Sequence, residues 1–269
     1  MTDAALRDNV IIITGASAGI GLELAWQLSA KGAALVLAAR EPSLLDAAAD
    51  QCRALGARCV AVPTDVGEMD QCRRLIDAAI AEFGRIDTLV NNAGISMHAR
   101  FDELTTIEPA ERIIRINYLG SVWCTYYALP HLKKTRGRLV AVASLTGKIG
   151  VPTRTLYAAS KHAIAGFFDS LRIELEGSGV TVTVSYPGFV ATDIAERAVG
   201  PDGGRLGTRP VQRESVMTVE ECARLTIAAI ESRRREVVMT RMARVGLLLR
   251  AISPGTIDKL AARGIRRGR

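Results

Sequence analysis

Short apolar runs alternate along the chain with longer stretches of helical periodicity. A run at 10–13 (VIII) precedes a helical pattern over 20–31, and a run at 34–39 precedes a helix at about 43–55. Further runs at 58–62, 88–90, 138–143, 180–185 and 237–239 are separated by helical patterns. Those helices end at 83 and at about 134, or span about 158–175 and 219–232. Apolar spacings of three and four predict the helices, and the short β-branched runs predict seven strands. All but the last run are nearly continuous in apolar residues, as required of strands covered on both faces. Alternating β and α elements imply βαβ crossovers, hence a doubly wound parallel sheet flanked by helices. No linker or internal repeat interrupts the series, so a single domain is predicted over 1–240, followed by an extension at 241–269. The glycine-dense segment 201–210 (PDGGRLGTRP) reads as a mobile loop or lid.

Composition narrows the class. The 269 residues are 48% apolar and 23% charged, which excludes a disordered, collagenous or disulfide-scaffold protein. Five cysteines without a CxxC pattern suit free thiols in a reducing compartment. Cys124, inside an apolar helical pattern, reads as core. No apolar run reaches the length of a spanning helix. The first ten residues carry acids and no apolar core, unlike a secretory signal, so a cytoplasmic location is expected. Three histidines without ligand spacing predict no metal site, and His98 reads as a loop residue rather than a substrate contact. The net charge of +7 is unevenly placed: residues 232–269 hold a net +9, and the rest a net −2. The charge thus belongs to the tail.

Two stretches carry chemistry. After the first strand, Gly15, Gly19 and Gly21 open the first helix in a Gly-x3-Gly-x-Gly turn. Glycines there let backbone N–H groups approach a pyrophosphate, which the helix N-terminus also favours, so a Rossmann-type nucleotide site is expected. The second strand ends in Ala38-Ala39-Arg40. A carboxylate at that point would bind the ribose of NAD(H); the guanidinium suits a phosphate, so NADP(H) is favoured over NAD(H), although Glu41 opposes it. Asp65, after the third strand, either accepts from an adenine amine or caps the following helix.

Tyr157 and Lys161 lie four apart, on one helical face. A fixed cation beside a phenol favours the phenolate, and such a pair exchanges a proton with a carbonyl or alcohol oxygen. Ser144 stands at the end of the fifth strand, the edge where open α/β sheets bind ligands, and would hydrogen-bond the same oxygen.

With these motifs in this order, the chain resembles the short-chain dehydrogenase/reductase family, in its short single-domain branch, over about residues 10–239. The matching segments are TGASAGIG at 14–21, Asp65-Val66, NNAG at 91–94, Asn117, Ser144, YAASK at 157–161 and PGFVAT at 187–192. The resemblance implies an oxidoreductase that interconverts a ketone or aldehyde and an alcohol. Tyr157 would be the acid/base and, with Lys161, belong to the cofactor site; Lys161 would lower the Tyr157 pKa and hold the nicotinamide ribose. Ser144 would orient substrate, and Asn117 would hold a water in a proton relay. Gly15, Ser17, Gly19, Ile20, Gly21, Arg40, Asp65 and Val66 would belong to the cofactor site. Asn92, Ala93 and Gly94 would line the adenosine side, and Pro187, Gly188, Val190 and Thr192 would meet the nicotinamide. Many NADP-preferring members have Lys or Arg where this chain has Ala18, and a second Ser often precedes the catalytic one where it has Ala143.

Residues 126–175 are similar to the 11-beta-hydroxysteroid-dehydrogenase-like branch, whose members act on steroids and other lipophilic carbonyls. That implies a lipophilic small-molecule substrate, closed over by a loop at about 193–217. Relatives pair through the helices at 121–131 and 158–175, so a homodimer or homotetramer is expected. A non-catalytic cofactor sensor or scaffold on the same fold is the rival; it would be expected to have lost Tyr157, Lys161 or Ser144. The tail has three readings: completion of the pocket or of a subunit contact, peripheral attachment to an anionic membrane, or a nucleic-acid arm. The last is the weakest, since Leu247, Leu248 and Leu249 would be wasted there, and no nucleic-acid partner is expected.

Overall fold

A computed structural model describes residues 5–207 and 216–266, with side chains as far as Leu260. Seven parallel strands form one sheet in the order β3-β2-β1-β4-β5-β6-β7. They are β1 Val10–Thr14, β2 Ala34–Ala39, β3 Cys59–Pro63, β4 Thr88–Asn91, β5 Arg138–Val142, β6 Thr181–Tyr186 and β7 Glu236–Val238. The predicted runs match these strands to within one residue at nearly every end. The apolar runs divide by parity. Val10, Ile12, Val36 and Ala38 enter the core on one face, and Ile11, Ile13, Leu35 and Leu37 the core on the other. This alternation explains why unbroken apolar runs were needed.

Helices α1 Gly19–Ala30, α2 Pro42–Ala54 and α7 Val219–Glu231 cover one face through Leu24, Leu28, Leu45 and Ile227. Helices α3 Met69–Phe83, α5 Gly120–Thr135 and α6 Thr155–Glu174 cover the other through Leu75, Cys124, Ala128, Ile164 and Phe168. The short α4 Glu108–Ile114 runs into α5 through a π-helical segment, Arg115–Leu119. The sequence pattern did not distinguish this wider turn from ordinary helix. β1 pairs with β2 on one side and β4 on the other, so the chain reverses its winding there. The crevice at such a reversal is where open α/β sheets take ligands.

Two further helices follow β7: α8 Arg241–Ile252 and α9 Pro254–Arg266. Ala243 and Leu247 of α8 pack on the core, so the tail is attached to the body rather than a loose end. The glycine-dense loop is folded as far as Gly207. Gly200 donates its N–H to the Gly204 carbonyl at 2.9 Å, and Val199 bridges to both Met97 and Arg205. Its remaining residues, 208–210, lie outside the described residues, as do Arg209 and Arg213 of the expected substrate loop.

Candidate active site

The end of β1 and the end of β4 are tied together. Thr14 Oγ1 accepts the N–H groups of Asn92 at 3.0 Å and Ala93 at 3.1 Å. Asn92 Nδ2 donates back to the carbonyls of Thr14 at 2.9 Å and Gly15 at 3.2 Å. Gly15 has φ +67°, and a Cβ there would stand 2.9 Å from Ala93 Cα. A Cβ on Gly21 would stand 2.3 Å from the Gly15 carbonyl oxygen. Gly21 therefore lets α1 close on the turn and does not itself line the crevice. Ala18 precedes α1 with no side-chain cap, so the first N–H groups of the helix are left for solvent or a ligand.

The crevice is a cleft of about 540 Å³. It is lined by Gly15, Ser17, Gly19, Ile20, Arg40, Asp65, Val66, Asn92, Ala93 and Gly94 from the first half of the chain. From the second half come Ser144, Tyr157, Lys161, Pro187, Gly188, Val190 and Thr192. Of the predicted site residues, only Gly21 and Asn117 stand behind this lining. Arg40 is exposed at one end of the cleft, with Glu41 beside it bound to Ser43 Oγ at 3.1 Å. Asp65 Oδ1 accepts the Gly67 N–H at 2.9 Å. It thus caps a turn ahead of α3, and its carboxylate still faces the cleft.

At the other end, Ser144 follows β5 and its Oγ accepts the Thr146 N–H at 3.2 Å. Tyr157, Ser160 and Lys161 project from the first turns of α6, and all three are buried. Lys161 Nζ donates to the Val142 carbonyl at 2.9 Å and lies 5.7 Å from the Tyr157 ring centre. Burial lowers the Lys161 pKa from 10.5 to about 8. Burial also pushes the Tyr157 phenol up, with the Arg154 charge and the Ser144 hydroxyl pulling it partly back. In the chain by itself, desolvation of the phenol outweighs every neighbouring charge, and Arg154 is the cation that opposes it.

Asn117 sits in the π-helical segment, fully buried. Its Oδ1 accepts the Ile95 N–H at 2.8 Å, while Nδ2 donates to the Ile95 carbonyl at 3.0 Å and Ser160 Oγ at 2.9 Å. Its side chain is spent on fixing the segment after β4 against α6, which leaves only its carbonyl, already bonded by Ser121 Oγ at 2.9 Å, to hold a water. The sequence reading passed over Arg154. It donates to Ser96 Oγ at 2.8 Å and lies 5.7 Å from the Phe189 ring centre. Its place three residues before Tyr157, at the N-cap of α6, was the available signal. Ile194, from the loop expected to cover the substrate, lines the cleft, as does Ile95, which the sequence did not single out. His98 sits near Thr153, with Nδ1 and Oγ1 3.5 Å apart, and does not line the cleft. Cys124 and the other four cysteines are buried free thiols. No His, Cys, Asp and Glu cluster among the described residues has the make-up of a metal site.

A seven-stranded doubly wound sheet, with a glycine turn at its reversal point and a Ser-Tyr-Lys group at its strand ends, marks an α/β protein of the dehydrogenase type. The family model described as short chain dehydrogenase matches residues 9–201, and the chain belongs to this oxidoreductase family. It is 40% identical over 253 residues to an 11-beta-hydroxysteroid dehydrogenase-like 4A of Arabidopsis thaliana, covering 93% of this chain and 82% of that one. An 11-beta-hydroxysteroid dehydrogenase of Pinus massoniana is 35% identical over 260 residues, covering 94% and 73%. A short chain dehydrogenase/reductase from Burkholderia phymatum, solved in complex with NAD, superposes with a TM-score of 0.83 at 28% identity, over 92% of this chain and 94% of that one.

Proposed function

We propose that the protein is an NADP(H)-dependent oxidoreductase that interconverts a lipophilic ketone or aldehyde and its alcohol. The observation that carries this reading is one cleft with Ser144, Tyr157 and Lys161 at one end and Arg40 at the other. The residues fit a dinucleotide: an uncapped helix N-terminus, a turn with no room for a Cβ, and a guanidinium where a ribose phosphate would lie. A nicotinamide bound there supplies or takes up hydride at the substrate carbon. The chain's own groups handle the oxygen. The Tyr157 hydroxyl gives its proton to a carbonyl oxygen in reduction, and its phenolate takes one from an alcohol in oxidation. The Ser144 hydroxyl donates to the same oxygen, and Lys161 keeps positive charge beside both. Ile95, Val190 and Ile194 give the substrate end apolar walls, in keeping with relatives named for steroids. The exposed Tyr126 of α5 and Ile173 of α6 favour subunit pairing through those helices. The direct test is a panel of steroids, cyclic ketones and aldehydes, read by NADPH absorbance; no turnover across the panel would count against the reading.

Arg40 decides the cofactor. Arg40→Asp places a carboxylate where the phosphate would sit. The NADPH-to-NADH ratio of kcat/KM is expected to fall by about 10-fold or more, since a lost charge-assisted contact is worth about 1.5–3 kcal/mol. Wild-type preference for NADH would overturn the cofactor choice.

The raised Tyr157 pKa sets a direction for pH. A phenol protonated at neutral pH acts as an acid, so kcat/KM for carbonyl reduction should hold through neutrality and fall at alkaline pH. Alcohol oxidation needs the phenolate and should rise over the same interval. Parallel profiles in both directions would contradict Tyr157 as the shared group.

A further inference from the structure

We infer that α8 is a docking surface for an anionic lipid bilayer. The helix has two apolar faces. Ala243 and Leu247 pack on the core. Met242, Val245, Leu248, Leu249 and Ile252 lie on the opposite side, within about 120° of one another at 100° per residue. All five are exposed, with Met242 81%, Leu248 69% and Ile252 83% accessible. α9 packs against α8 yet leaves this stripe open. Scattered apolar residues need no explanation, but an aligned stripe on one helix marks a contact surface.

The charge selects the occupant. Residues 241–269 hold eight Lys and Arg and one Asp, the whole net charge of +7; residues 1–240 are balanced. Arg241 is exposed within the arc of the stripe, and Arg250 is exposed on the last turn, toward the Ala243 side. In a two-fold contact between copies, the patch would meet itself and bring the two Arg241 charges together. An anionic bilayer instead attracts the charge while the stripe enters its apolar boundary, the arrangement of an interfacial helix. No helix among the described residues is long and apolar enough to span, so the contact is peripheral. α8 also begins three residues beyond β7, at the sheet edge where the cleft lies.

The test is flotation of the full chain with vesicles of phosphatidylglycerol and phosphatidylcholine in equal parts, and with phosphatidylcholine alone. Wild type should float with the mixed vesicles and lose at least about tenfold in binding on pure phosphatidylcholine or in high salt. The triple variant Met242→Ser, Leu248→Ser, Ile252→Ser should lose at least about tenfold on mixed vesicles, with unchanged Tm and turnover. Arg241→Glu with Arg250→Glu should do likewise with the stripe intact. Equal flotation of the triple variant, or no flotation of wild type, overturns the inference. So does a wild-type oligomer in sedimentation that the triple variant breaks into smaller units, since a second copy would then own the stripe.

Discussion

Tyr157→Phe is expected to lower kcat/KM by about 10²–10⁴-fold, the range for loss of a general acid or base. The ring would stay. Tyr157 packs in a small cluster with Met97, Ile113 and Val199, and Phe fills the same space. The lost atom is the hydroxyl whose pKa burial raises and the Ser144 side chain partly pulls back. Ser144 already accepts the Thr146 N–H, so its orientation survives. Arg40 follows β2, which lies three strands along the sheet from β5 and Ser144. Cofactor affinity, measured by NADPH fluorescence, should therefore be unchanged while turnover collapses. Retention of most activity would remove Tyr157 from the chemistry. Loss of cofactor binding together with turnover, at unchanged Tm, would instead make it a binding residue.

The sheet was legible because burial on both faces writes itself into sequence. Val10 to Thr14 and Ala34 to Ala39 are buried at every position. A strand covered on one side only would have shown alternation, and an edge strand shows weaker signal: β3 is only partly buried and ends on Pro63. The site was legible wherever a residue type is chemically forced. Gly15 needs a left-handed backbone and a close approach, and Ser144, Tyr157 and Lys161 must meet at strand ends. What stayed hidden depends on depth and on distant partners. The upward push on Tyr157 comes from desolvation, which no spacing reveals. Asn117 was singled out by resemblance, but its bonds to Ile95 and Ser160 join residues 22 and 43 positions away. Asp65 had two readings from sequence; its bond to the Gly67 N–H closes a turn, but Glu68 is the N-cap of α3, so Asp65 does not cap that helix, and it lines the cleft. The tail showed as two apolar patterns divided by Pro254, which become α8 and α9. Which side of α8 packs and which side stays open needed the fold.

Lys161→Met is expected to make the protein more stable and nearly inactive. Lys161 is 4% exposed, and among the described residues Nζ donates to one partner, the Val142 carbonyl. A fall in pKa from 10.5 to about 8 on burial corresponds to about 3 kcal/mol of destabilisation at neutral pH. Between pH 8 and 10.5 the unfolded chain holds a proton that the folded chain has released, so stability rises with pH across this window. Below about pH 8 the cost is full and constant. Met keeps the length and apolar stem without the charge. It gives up the bond to Val142, worth about 1 kcal/mol, for a net gain of about 2 kcal/mol at pH 7 in urea unfolding. That advantage should vanish near pH 10, where wild type has shed most of its penalty. Turnover should fall by about 10²-fold or more, as for loss of a preorganised charge at the reacting oxygen. A variant less stable than wild type at pH 7, or one that keeps its turnover, would contradict this. A buried cation that weakens the fold and could be replaced by an apolar stem has its justification in chemistry, and at the cleft end that chemistry is the proton of Tyr157.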